Sequence, residues 1–200
     1  MKKEYLGENL INYSRYKNYF AGLGEDVKNK VIKRINELIK ENDKYCDKGN
    51  YKHISNIFSA LSLYEVLQEY TPKDNAFKTV SEEMWKTAEE SMRTFKKIMK
   101  LPNMLKIIGK LLSKLFENGS GYGWKYTWHN ELTTNDYLQF ECNECIYQKI
   151  FSKYNVPELG PMFCQVDDIT YSDLPNIKFT RNHTLCRDGQ DCDFKFERKK

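Results

Sequence analysis

The residues of this chain that could do chemistry are unevenly placed. Of its six cysteines, Cys46 stands apart, while Cys142, Cys145, Cys164, Cys186 and Cys192 all fall in about the last sixty residues. A thiol acts as nucleophile or ligand only as its thiolate, so the charges and donors around it decide what it can do. In a reducing compartment such a group is expected to serve catalysis or a metal rather than a disulfide framework. A single buried cysteine, by contrast, is ordinarily a small inert hydrophobe. Cys142 and Cys145 form a C-x-x-C that reads as a pair at a helix start, where both sulfurs can reach one point. A zinc site needs a second pair. Cys186 and Cys192 have five residues between them, wider than the usual knuckle, with His183 close by. In "FCQVDD", Asp167 follows Cys164 by three residues, one helical turn, so the two can face the same place. In "RDGQDCDFKF", Cys192 sits between two aspartates at the start of a short aromatic strand. Strand neighbours point to opposite faces, so Cys192 and Asp193 are not both expected in one site. The plainer alternative leaves Cys164 in a helix core and Asp167 on the surface.

The other polar candidates are weaker. His53, His129 and His183 are the only histidines. Any of them could act as a general base, but none has a visible partner. His53 lies early on a predicted helix, His129 ends an aromatic strand, and His183 falls within another. No Ser-His-Asp order or nucleophile elbow is present. The glycines of "NGSGYGW" are spaced G-x-G-x-G and lead into a strand. A phosphate loop needs a helix N-terminus there, so this is a turn.

These groups must be positioned by elements that the hydrophobic periods define. "EDVKNKVIKRINELIKEND" puts Val27, Val31, Ile35, Leu38 and Ile39 on one helical face. "KHISNIFSALSLYEVLQEY" does the same with Ile54, Ile57, Phe58, Leu61 and Leu67, and Thr71-Pro72 ends it. A third helix is expected from Asp74 to Lys100, with Phe77, Val80, Met84, Ala88, Phe95 and Met99 inward. Pro102 breaks it before a fourth, "NMLKIIGKLLSKLFENG", with Leu105, Ile108, Leu112 and Leu115 inward and Gly119 as a C′ glycine. That helix also carries Lys106, Lys110 and Lys114 along one side. A basic amphipathic helix can lie on a membrane, yet a core helix with a solvated lysine face is the ordinary case and is the reading adopted. After Gly119 the period changes to strands, "GYGWKYTWHNEL" and "NDYLQFEC". "NECIYQKIFSKY" returns to helix, and "VPELGPMFCQVDDITYSDL" reads as a short helix starting near Pro157 and bent at Gly160-Pro161. "NIKFTRNHTLC" and "CDFKFE" then alternate as strands joined by "RDGQD".

The expected fold is therefore α+β. An antiparallel sheet of about four strands is packed with helices and preceded by a helical N-terminal half. The chain reads as a single domain over 1–200, with a helical half at 1–118 and a ββααββ half at 119–200 that carries the site. The balance of 32 basic against 28 acidic residues, net +4, is too mild to suggest nucleic acid. No run approaches the roughly 18 apolar residues that span a bilayer. The start, "MKKEYLGENLINYSRYKNYF", has no apolar signal-peptide region. A cytoplasmic protein that binds neither membrane nor nucleic acid is expected.

The C-terminal motifs, taken in order, resemble the L-2-amino-thiazoline-4-carboxylic acid hydrolase family. The resemblance rests on Cys145 and Tyr147, then Pro157 to Leu159. Phe163, Cys164 and Asp167 follow, then Phe179 with Arg181, then Gly189, Cys192, Asp193, Phe194 and Phe196. It covers roughly the last third of the chain. Cys142, Cys186 and His183 lie outside the pattern. The order of elements is also loosely similar to small-molecule-binding domains of the four-vinyl-reductase type. The resemblance implies hydrolysis of a C–N bond in a small cyclic amidine or isothiourea, such as 2-amino-thiazoline-4-carboxylate. It implies Cys164, Asp167 and Cys192 as catalytic. A thiolate of Cys164 or Cys192 would add to the electrophilic carbon, and Asp167 would relay protons or hold the amidinium-like group. Cys145, Arg181 and Asp193 would be substrate-binding, Arg181 through its fork on the substrate carboxylate. No cofactor is expected, and the partner would be a small-molecule substrate. Two rivals stand beside this: a non-catalytic small-molecule-binding domain, and a zinc or other thiophilic metal site built from Cys145, Cys164 and Cys192. The helical half could form a lid or the surface of a homo-oligomer.

Overall fold

The computed structural model describes residues 5–119, 121–187 and 189–199. By compactness the chain forms two units, Met1–Lys86 and Thr87–Lys200. The division falls inside a helix.

The first unit is helical. α1 (Gly7–Tyr13) and α2 (Lys17–Ala21) precede α3 (Glu25–Glu41) and α4 (Tyr51–Leu67), and the start of α5 (Lys73–Met99) closes it. The sequence periods did not reveal α1 and α2, which are too short to show a repeating face. In α3, Val31, Ile35, Leu38 and Ile39 are buried as the period requires. α4 is buried nearly all round, from Ile54 to Tyr64, and is the central helix of the unit. α1 packs on both α3 and α4. It approaches α3 so closely at Gly7 that a Cβ there would lie 2.8 Å from the Ile32 carbonyl oxygen.

The second unit is the α+β part. Pro102 and Asn103, the latter with φ of 61°, turn the chain from α5 into α6 (Met104–Gly119). Four strands follow in the sheet order β1-β2-β4-β3: β1 (Lys125–Trp128), β2 (Tyr137–Glu144), β3 (Ile177–Thr180) and β4 (Cys192–Arg198). All three pairings are antiparallel. Between β2 and β3 come α7 (Ile146–Lys153) and α8 (Leu159–Tyr171), which pack on each other. α8 is continuous from Leu159, so the bend expected at Gly160-Pro161 is absent. Pro161 falls in the first turn, where its missing N–H costs no helical hydrogen bond. The third strand ends at Thr180, so His183 lies in a loop rather than in a strand.

One face of the sheet is apolar. Register pairs Leu138 with Phe196, Phe140 with Phe194 and Cys142 with Cys192, and alternation puts all six on that face with Tyr126, Trp128 and Phe179. The rings form a run: Trp128–Phe140 centroids are 4.4 Å apart, Phe140–Phe194 4.7 Å and Phe179–Phe196 5.0 Å. α6 covers it at Phe116, tilted 4.5 Å from Tyr126, and α8 at Tyr171, 5.2 Å from Phe179. Together with Met99, Leu105, Leu174 and Ile177 these residues make the core of the unit. Its other end, where the aromatic rows give way to Cys142 and Cys192, is where the thiols meet.

Candidate functional site

Five of the six thiols form one connected cluster. Cys142, on β2, and Cys192, first residue of β4, are cross-strand partners, and their thiols are hydrogen-bonded. Cys145 is the N-cap residue of α7 and packs against both. Cys164, on the second turn of α8, bonds to Cys186 in the loop after β3, and Cys186 bonds in turn to Cys145. Gly160 makes room for this last thiol: a Cβ there would lie 2.9 Å from Cys186 Cβ and 3.0 Å from its Sγ. The structure thus brings Cys145, Cys164 and Cys192 together, and it adds Cys142 and Cys186, which the sequence offers only as members of a loosely spaced zinc set and which lie outside the resemblance. The register that aligns Cys142 with Cys192 joins strands separated by two helices, so no local pattern announces it. The only signal available was the crowding of five cysteines near the C-terminus.

The loop 181–187 is fastened from three sides. Asp193 accepts hydrogen bonds from the backbone N–H groups of Asn182 and His183, both at 2.9 Å, and from Asn182 Nδ2 at 2.8 Å. Gln148 of α7 donates to the Leu185 carbonyl at 2.9 Å. Arg187 reaches Asp168 of α8 at 3.0 Å. Asp193, placed by sequence among the substrate-binding residues, is on the sheet face opposite Cys192 and holds this loop. Burial opposes its ionisation, but the donated N–H groups outweigh that and draw its carboxyl below the usual range.

Arg181 is 2% exposed and anchors the α8 side. It donates to Asp167 Oδ2 at 3.0 Å, Asp168 Oδ1 at 2.6 Å and the Cys164 carbonyl at 2.6 Å. Its guanidinium also lies 5.2 Å from the Phe194 ring centroid. The fork is therefore occupied by protein carboxylates. The cation with more open N–H groups is Arg187, 38% exposed beside the same Asp168.

These surroundings split the thiols into donors and acceptors. A hydrogen bond from Cys186 draws Cys164 down to about 7 against its burial, helped by Thr184, whose Oγ1 is 3.4 Å away, and by the Arg181 charge. Cys186 moves the opposite way, pushed far up by its bonds to Cys145 and Cys164 and by burial, so it stays a protonated donor. The other pair repeats the pattern. The bond to Cys192 and burial push Cys142 up, while that bond, against burial and with the Leu185 N–H at 3.3 Å, draws Cys192 down. Tyr126 reaches Cys142 with its hydroxyl, and burial holds that phenol well above its ordinary range. Trp124 stacks on Tyr126 at 5.7 Å and meets Tyr147 edge-on at 5.8 Å, which walls the cluster with aromatic rings.

The histidines lie elsewhere. His129 is 2.7 Å from Glu141 on the polar face of the sheet, and His183 is 2.6 Å from Asp191 in the loop. Among the described residues, no group of three or more His, Cys, Asp or Glu side chains is arranged to hold a metal ion. The cluster instead has the makings of covalent catalysis. It offers a thiol drawn toward ionisation near neutrality, a neutral thiol that donates to it, a hydroxyl that accepts from the thiol and can donate to the thiolate, and a carboxylate one turn along the same helix.

Searches of curated proteins and of solved structures find no match. A family model does match, and it covers residues 50–196. That span takes in α4, α5 and α6 as well as the C-terminal motifs, so the family pattern is not confined to the last third. With the match extending over most of its length, the chain belongs to the L-2-amino-thiazoline-4-carboxylic acid hydrolase family.

Proposed function

We propose that the chain hydrolyses a carbon–nitrogen bond in a small cyclic amidine or isothiourea of the 2-amino-thiazoline-4-carboxylate kind, with Cys164 as nucleophile. The observation that carries this is the Cys164 thiol, drawn to about 7 by Cys186, Thr184 and Arg181 with Asp167 on the next turn. The thiolate adds to the amidine carbon, and the C=N electron pair moves onto nitrogen, which takes a proton. Collapse of the tetrahedral adduct breaks a C–N bond, and the leaving nitrogen departs with a second proton. Water then attacks the thioester-like carbon and returns Cys164 as thiolate. Asp167 relays these protons. Cys192, tied to Cys142 and the Leu185 N–H, supports the site as a second ionisable thiol rather than as the attacking one. Arg181 acts by fixing Asp167 and lowering Cys164. A substrate carboxylate is met by Arg187.

The test is turnover of 2-amino-thiazoline-4-carboxylate by the wild type and by Cys164→Ser, Asp167→Asn and Cys192→Ser. Loss of activity in Cys164→Ser, with a smaller loss in Cys192→Ser, is expected. Undiminished turnover in all three variants removes the nucleophile from the proposal.

A further inference from the structure

From Ser91 to Phe116 the chain has seven basic residues and no acidic one, although the whole protein carries only +4. The seven are Arg93, Lys96, Lys97, Lys100, Lys106, Lys110 and Lys114. This stretch is the end of α5, the Pro102 turn and nearly all of α6. The inward row of α6 is Leu105, Gly109 and Ser113, all buried. Gly109 lies so close to β2 that a Cβ would come within 2.8 Å of Leu138 Cδ1. At 100° per residue, Ile107, Leu111 and Leu115 then fall on the side turned away from the sheet. They are 51%, 57% and 53% exposed, and Leu101 and Ile98 on the α5 side are 58% and 38% exposed. The lysine row 106, 110 and 114 runs directly beside this apolar row. The expectation that Leu115 points inward is therefore corrected. α6 is apolar on two sides, and only one of them is used by the core.

We infer that this face docks on an anionic lipid surface, with the row Ile107–Leu111–Leu115 inserted at the headgroup boundary and the lysines beside it on lipid phosphates. An apolar row flanked by basic residues is what an interfacial helix requires. The long lysine stems can lie along the apolar row while their ammonium groups reach the headgroups. A second copy of the chain does not fit the same face. A two-fold contact with the α6 helices antiparallel would set one lysine row against the other, and like charges there repel. No described helix is long and apolar enough to cross a membrane, so the association is peripheral.

The experiment is co-sedimentation of the full chain with phosphatidylglycerol–phosphatidylcholine vesicles and with pure phosphatidylcholine vesicles, at low and high salt. Binding to the anionic vesicles is expected, with partition falling by about tenfold or more on pure phosphatidylcholine or at high salt. The variant Ile107→Ser/Leu111→Ser/Leu115→Ser and the variant Lys106→Glu/Lys110→Glu/Lys114→Glu should each lose binding while keeping the wild-type circular dichroism and melting temperature. Equal binding to both vesicle types, no binding at all, or unchanged binding by the two variants overturns the inference. A concentration-dependent dimer that the serine variant dissociates, without vesicle binding, assigns the face to a second copy and overturns it as well.

Discussion

The neighbours of Cys164 draw its thiol down to about 7, below the range of an ordinary cysteine, and removing one of its donors should move it back up. At ~1.4 kcal/mol per pKa step of one, the site favours the thiolate by about 3 kcal/mol over a free cysteine. Hydrogen bonds to a charged group contribute roughly 1.5–3 kcal/mol each when nothing opposes them, and here burial does oppose them. Thr184→Val deletes one donor and keeps the shape, so a rise of about one pKa step is expected. Cys186→Ala deletes the stronger donor, the neighbouring thiol, and should raise Cys164 further, by roughly one to two steps. The assay is alkylation by iodoacetamide across a pH series, with the Cys164 peptide quantified by mass spectrometry so that the other thiols do not contribute. At low pH a one-step rise cuts the thiolate fraction about tenfold but strengthens each thiolate about threefold, since the Brønsted slope is near 0.5, so the net rate falls only about threefold. The midpoint of the profile is thus the sharper measure. A wild-type midpoint at the value of an ordinary cysteine, or midpoints that stay put in both variants, would refute the assignment of Cys164 as the activated thiol.

Three further outcomes follow from the same geometry. Because Cys164 is lower in the folded than in the unfolded chain, its ionisation adds stability above the unfolded pKa and loses it as pH falls through about 7. The melting temperature of the wild type should therefore gain on that of Cys164→Ser as pH is raised from about 7 to about 9. Burial lowers His53 on α4 to about 4, so its contribution is full above the ordinary histidine range and is lost as pH falls through about 4. His53→Gln should flatten that acid limb of denaturant titrations by up to ~3 kcal/mol. Gly160→Ala drives a methyl into Cys186, 2.9 Å from its Cβ, and should cost about 1–3 kcal/mol in urea unfolding while raising the Cys164 alkylation midpoint.

The sequence by itself determined the long elements and the residue types of the site. α3, α4, α5 and α6 repeat at helical spacing over four or more turns, long enough for each to be found as a helix. β1, β2 and β4 alternate aromatic and polar residues, and the motifs around Cys145, Cys164 and Cys192 named three of the five clustered thiols. Tertiary structure decided what these residues touch. Cys142 joins Cys192 only because β2 pairs with β4 across two intervening helices, and Cys186 joins Cys164 only because Gly160 leaves it space. Arg181 looks in the sequence like a cation for substrate, yet its fork closes on Asp167 and Asp168. Leu115 fits a helical period, but α6 meets the sheet through Gly109 and Ser113, so a second apolar row is left outside. Periodicity reports which residues share a face, because that follows from backbone geometry. Which face is covered, and which thiol meets which, depends on contacts between segments far apart in the chain, and those exist only once the chain has folded.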